Sequence, residues 1–472
     1  MKSDELFLLE NAVKNITNKA REFGLDFYNM HFEICPVEII YTFGAYGMPT
    51  RYAHWTYGKA YHKMKTQYDY NLSRIYEMVI NSNPCYAFLL EGNSLVQNKL
   101  VIAHVLAHSD FFKNNIHFKQ TPSGYILDSM ANAAQRLRTY EFQYGKDKVE
   151  KFLDAVLSIQ EHIDPYFYLE KKKLDFINVA KKERGKETPY DDLWELDQKA
   201  KDNDIDKDSN LKNFPPEPQK DLLLFLMEHA KGLEDWQRDI ISIVRQDMLY
   251  FWPQLETKIM NEGWATYWHL RILREIELTE KEVIDFAKMH AEVIQPSPWR
   301  INPYYLGLKI FEDIEKRWNN PTDKEKEKFC RQGGEGREKV FEVRATENDI
   351  SFLRNYLTEE LIKECDLYMY EKKGQEWQIT DKKWERVRDN IVANLINGGY
   401  PYLTLENGDY NNQGELYLKH HFEGVELDVF YLENTLPHVY HIWGRPINLE
   451  TIVDKRNVLF TCSGTKVVKK YL

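Results

Sequence analysis

Two histidines four residues apart, His104 and His108, stand in the apolar run LVIAHVLAHSDFFKNN at residues 100–115. On a helix, side chains at i and i+4 leave from one face, so both imidazoles could reach one metal ion. The same spacing also suits buried core histidines held by hydrogen bonds, and the pair alone leaves both readings open. A second run, NEGWATYWH at 261–269, sets Glu262 and His269 on another expected helix. A third, GMPTRYAHWTYGK at 47–59, offers Arg51, His54 and Tyr57 on a Gly/Pro-shaped loop. There an arginine and a histidine could engage a carboxylate or phosphate, or the arginine could simply stack on core aromatics. Arg300, in PSPWRINPYYLG at 296–307, is a further candidate anion clamp, against the alternative of an arginine bonded within its own turn. His420, His421, His438 and His441 sit at expected strand and helix edges poor in acids, and are not read as a metal site.

The NEGWATYWH run resembles the N-E-G-x-A setting of gluzincin-type metallopeptidases, in which two histidines of one helix and a glutamate of a later helix hold zinc. That resemblance implies His104, His108 and Glu262 as ligands of zinc or another divalent metal, with a fourth position left to water. It fails at the general base. Gluzincins carry H-E-x-x-H, whereas this chain reads His104-Val105-Leu106-Ala107-His108. Valine cannot accept a proton, so an enzyme of this kind would be a metal-dependent hydrolase lacking the usual base, with Glu38, Glu91 or His269 as substitutes. No residue is assigned a catalytic role. No Walker loop, dinucleotide loop or G-x-S-x-G elbow occurs, and no nucleotide or other organic cofactor is expected.

The elements that must position these groups are mostly helical. Apolar residues recur at helical spacing over 4–23 up to Gly24, from Asn93 through the histidine run, and over about 123–145 and 147–162. Helical patterns resume at about 219–230, 234–251, 255–276, 279–292 and 303–318; Thr279 with Glu282 has capping-box spacing and Asn302-Pro303 starts the last. Between the two groups, a Lys/Glu/Asp-rich insertion at about 171–213 has too few apolar groups to offset the entropy of ordering and is expected to be mobile. Strand signals gather late: a hairpin at 366–379, two strands over 400–420 across Asn407-Gly408, and strands near 457–471, with helices at 381–397 and about 425–441. The expected architecture is mainly α with a smaller α+β C-terminal domain: a helical body over 1–330 and an α+β unit over 338–472, divided by the charged, glycine-bearing stretch 321–337.

Composition narrows the class. The chain has 472 residues, 14% of them aromatic, with 63 basic against 74 acidic residues and a formal net charge of −11. That balance argues against a protein built to neutralise nucleic-acid phosphates. The acidic start MKSDELFLLENAVKN is unlike a signal peptide, no apolar run approaches a membrane span, and five scattered cysteines suit a reducing compartment. A cytoplasmic location is expected.

Five long segments together, FGLDFY at 23–28, EICPVEIIYTFGAYGMPTRYAHWTYGK at 33–59, the histidine run, NEGWATYWH and INPYYLGLKIFEDIE at 301–315, resemble the stage V sporulation protein R (SpoVR) family. HIWGRPINLET at 441–451 extends the resemblance almost to the C-terminus. It implies a bacterial cytoplasmic protein needed, in endospore formers, for the peptidoglycan cortex of the spore, acting with protein partners of sporulation or envelope assembly. The family also occurs in bacteria without endospores, which implies an activity broader than sporulation. Two function classes remain: a metal-binding protein or degenerate metallohydrolase, and a non-enzymatic scaffold or regulator of cortex assembly in which the His/Glu set is a buried hydrogen-bond network.

Overall fold

The computed structural model describes residues 3–70, 75, 77–167, 214–296, 300–373 and 376–472. The charged insertion expected at 171–213 lies outside the described residues. The chain is mainly helical with a C-terminal sheet domain. Two compact units arise, one from residues 1–139 with 250–399 and one from 140–249 with 400–472.

The first unit is built around helix Leu95–Asn114, which carries both candidate histidines. Ser94 and Gln97 close a capping box at its start, satisfying two of the otherwise orphaned backbone donors. Every residue from Val101 to Phe112 is buried, so this helix has no solvent face and must be enclosed by its neighbours. Those neighbours include helices Ser3–Glu22 and Lys258–Glu275, and the latter also packs on helix Pro303–Asn319. Ile16, Leu106, Phe111, Trp264, Trp268 and Phe311 meet in their shared core.

Helices Gly336–Thr346 and Asp349–Tyr356, which the sequence reading grouped with the C-terminal unit, bury Val340, Val343, Phe352 and Leu353 in this same core. A small sheet that the sequence reading did not anticipate also belongs here. Its strands are β1 (Met30–Cys35), β2 (Glu77–Ile80) and β3 (Cys85–Leu90), in the order β1-β3-β2 with β1 and β3 parallel. The hairpin of β4 (Met369–Lys373) and β5 (Glu376–Asp381) forms where expected.

In the second unit, β6 (Leu403–Tyr410), β7 (Glu415–His420), β8 (Ile447–Val453), β9 (Arg456–Ser463) and β10 (Lys466–Tyr471) form one sheet in the order β10-β9-β8-β7-β6. The turn expected at Asn407-Gly408 lies four residues later. Asn411, Asn412 and Gly414 supply the positive φ angles of 59°, 54° and 71° that the reversal needs, and Asn407-Gly408 falls within a bulged β6. Helix Val429–Trp443 packs against helix Lys146–Leu157 and ends at left-handed Gly444.

Gly263 and Gly307 set the crossing of helices Lys258–Glu275 and Pro303–Asn319. A Cβ on Gly263 would overlap the backbone of Gly307, and a Cβ on Gly307 would overlap the carbonyl of Ile259. The glycine of the NEG run is therefore required for close packing. Gly263→Ala should cost at least about 2–3 kcal/mol, because backbone rather than a flexible side chain must give way. Urea unfolding checks this against Gly58→Ala, where a Cβ meets nothing within 4 Å and helix propensity alone predicts a gain of roughly 0.5–1 kcal/mol.

Candidate metal centre

Helix Lys258–Glu275 presents Asn261, Glu262 and His269 toward the histidine helix. Its first turn is anchored from a distance: the buried Asp349 carboxylate accepts the N–H groups of Ile259 (2.8 Å) and Met260 (2.9 Å). One turn on, Trp264 Nε1 donates to the buried carboxylate of Asp110 at 2.9 Å, tying this helix to the residue two past His108. Asp110 also accepts the N–H of Asp26 and faces Arg344 at 3.5 Å. Burial raises the Asp110 carboxyl to about 6, although Arg344, the Asp26 N–H and Trp264 all favour its charged form.

Between these anchors the structure brings His104, His108 and Glu262 together, with one ligand atom from each within 4.8 Å of the others. Glu262 Oε2 lies 3.6 Å from His104 Nε2 and 3.5 Å from His108 Nε2. Both separations are longer than an ordinary hydrogen bond. Glu262 Oε2 is buried and makes no hydrogen bond. The far sides of both rings are occupied: His108 Nδ1 donates to Asn261 Oδ1 at 2.9 Å, and His104 Nδ1 pairs with His269 Nδ1 at 3.0 Å. His269 Nε2 continues to His290 Nδ1 at 3.2 Å. The Asn261 bond puts the His108 proton on Nδ1 and leaves a lone pair on Nε2, aimed at the Glu262 oxygen.

The histidine chain can run in two directions. If His104 donates through Nδ1 to His269, and His269 through Nε2 to His290, then His104 Nε2 also carries a lone pair. Three lone pairs then converge on one point, an arrangement suited to a cation. If the chain runs the other way, His104 Nε2–H turns to Glu262 and the set becomes a hydrogen-bond network that still leaves His108 Nε2 unmatched.

The protonation states favour ligation. Burial, with His104 nearby, lowers His108 to about 4 against the pull of Glu262 and Asn261, so it is neutral at pH 7. Burial likewise takes His269 well below the usual histidine range and lowers His290, with Arg274 adding to the latter. Glu262 is lowered: burial opposes its ionisation, but His104, His108 and Lys258 outweigh it. A neutral imidazole beside an ionised carboxylate is the form in which such groups bind metal.

The other expected site residues fall out differently. Arg51, His54 and Tyr57 do gather, in an aromatic nest. The Arg51 guanidinium lies 4.8 Å from the Tyr57 ring centroid and 5.1 Å from that of Phe251, and donates to the Tyr46 carbonyl. His54 is the N-cap of helix Trp55–Asp69, accepting the Thr56 N–H. Arg300 is exposed and makes no contact with this nest among the described residues. Of the substitute bases, Glu38 and Glu91 are exposed and outside the His/His/Glu group, His269 is bonded to His104, and Val105 is fully buried. Asn261, Asp349, His290 and Tyr304, whose ring stacks on His104 at 6.0 Å, were not read as parts of the site. One signal was present: Glu262 and His269 are seven residues apart, two turns along one helix face.

A helical body holding a His/His/Glu cluster with both histidines buried, joined to a sheet domain, is the class these features define. The chain belongs to the SpoVR family: the family described as SpoVR like protein matches residues 4–400, and the SpoVR-like C-terminal domain matches 401–454. It is 30% identical, over 94% of its length and 91% of the other chain, to the uncharacterized protein YcgB of Escherichia coli (strain K12). No solved structure matches. Among the described residues, no helix is long and apolar enough to cross a membrane.

The anchor of the glutamate helix yields a pH prediction. Burial raises the Asp349 carboxyl from 3.8 to about 7 against its backbone hydrogen bonds, with Glu256 adding to the rise. The folded state thus holds this proton more tightly than the unfolded state, and the contribution to stability falls as pH rises between those two values. Asp349→Asn keeps an acceptor at the helix start and removes that slope. Unfolding free energies measured across this range should decline less in the variant than in the parent; equal declines would contradict the assignment.

Proposed function

We propose that this SpoVR-family chain is a metal-binding protein whose His104, His108 and Glu262 hold one divalent cation, zinc being the best match to two imidazoles and a carboxylate. The observation that carries the reading is the orphaned Glu262 oxygen, buried between two imidazole nitrogens whose opposite nitrogens are already engaged. Asn261 would fix the tautomer of His108, and the His269–His290 chain that of His104, as residues behind metal ligands commonly do. Bound there, the ion would supply Lewis acidity and an activated water. This chain's own residues orient the ligands and exclude bulk water. None of them stands where a gluzincin places its base, because Val105 fills that position. Binding therefore has more support than hydrolysis. The family resemblance supports a role in spore-cortex peptidoglycan formation, and we read the protein as acting in that process with protein partners.

A non-enzymatic scaffold is the second reading, favoured by the exclusion of a proton acceptor at Val105. Elemental analysis of protein purified without an affinity tag tests the primary one. Close to one equivalent of metal is expected, falling at least about tenfold in occupancy for His104→Ala or His108→Ala. Glu262→Gln should also lose metal while keeping the fold, because it removes the charge and not the volume. Unchanged metal content in the His104→Ala, His108→Ala double variant would move the cluster to the hydrogen-bond network.

A further inference from the structure

The second unit contains a cavity of about 590 Å³, within the range of small-ligand sites. Four separate stretches of chain form its walls: Phe214, His229 to Gly232, the end of β6 with the β6–β7 turn, and Trp443 to Arg445. We propose that it binds a small organic anion, a phosphate or carboxylate carried on a flat ring.

The arginine of the charged side is held in place before any ligand arrives. Trp443 Nε1 donates to the Gly414 carbonyl at 2.8 Å, and Arg445 Nη1 donates to the Gln413 carbonyl at 2.9 Å. Gly414 has no side chain to obstruct this: a Cβ there would overlap the Arg445 guanidinium. One bond uses one of the five guanidinium donors, and the rest remain for an anion. Neither Arg445 nor Lys231 pairs with a carboxylate among the described residues. The acid on the same wall, Asp409, turns its Oδ1 to the Gly414 N–H at 2.6 Å, and Glu228 stands 3.9 Å from His229 Nε2. Two cations without carboxylate partners among the described residues, in a chain of net charge −11, make a local site for negative charge.

The opposite side is aromatic. His229 lies between Phe214 and Phe225 at ring distances of 4.9 and 4.6 Å, and Phe225 continues to Trp443 at 5.8 Å. Phe214 lines the cavity and remains 41% exposed, leaving apolar surface for a ligand ring to cover. The glycine at 408 keeps this wall low, since a Cβ there would come within 2.7 Å of Phe225 Cζ. HIWGRP, a run that the His/His/Glu cluster does not use, thereby acquires a role: its tryptophan and arginine brace one turn and face one cavity.

Calorimetric titration of the full chain with AMP, adenosine and inorganic phosphate separates the two halves of the proposal. AMP should bind saturably and at least about tenfold more tightly than either fragment, the scale of one charge-assisted contact or one stacked ring. Lys231→Gln with Arg445→Gln should weaken AMP at least about tenfold while the thermal midpoint holds. Phe214→Ala should reduce AMP affinity and leave phosphate affinity unchanged. No saturable AMP or phosphate binding up to about 10 mM, or undiminished AMP affinity in the double variant, would overturn the anion site. Undiminished AMP affinity in Phe214→Ala would overturn the ring component.

Discussion

The close crossing at Gly263 and Gly307 is the constraint on which the candidate centre depends. Two helix backbones touch there, one residue from Glu262, so the glutamate has little freedom to rotate or slide along its helix. Asp349 fixes the same helix at its first turn and Trp264 ties it to Asp110 two residues further on. With His104 and His108 on a helix buried on all sides, side chains from two distant parts of the sequence are brought to one point before anything binds. Such preorganisation lowers the cost of ordering that a metal would otherwise impose on its ligands.

Glu262, partly exposed but with its Oε2 buried, differs from the buried acids of this unit. Asp349 receives two backbone N–H groups, and Asp110 receives an indole N–H, a backbone N–H and a facing guanidinium. Glu262 Oε2 receives no hydrogen bond. A buried carboxylate oxygen without a donor costs on the order of 1–3 kcal/mol, more when charged, and folds retain such groups mainly where function requires them. The burial of Val105 between the two histidines limits the chemistry in the opposite sense. The arrangement is suited to holding a cation and has no proton acceptor where hydrolysis would need one.

Much of the helical scaffold was legible from local chemistry. The Thr279/Glu282 capping box and the Asn302-Pro303 start both form, and the i and i+4 histidines share a face. Less was legible where partners are remote. Strands β1 and β3 pair in parallel across a long intervening segment, and β7 and β8 do the same, so no hairpin turn announces either pairing. The helices around Val340 and Phe352 are amphipathic in either domain assignment, and periodicity does not say which core receives them. For the site, spacing put His104 with His108 and the motif supplied Glu262. The supporting roles of Asn261, His290 and Asp349 come from tertiary contacts that no local pattern encodes.

X-ray absorption at the metal edge of the loaded full-length protein asks most directly whether one cation sits among His104, His108 and Glu262. A cation there gives a first shell of nitrogen and oxygen only, at about 2.0–2.2 Å, with imidazole scattering from two histidines that falls to one in His108→Ala. A sulfur shell at about 2.3 Å, or a spectrum unchanged by His108→Ala, would place the metal elsewhere and rule this site out.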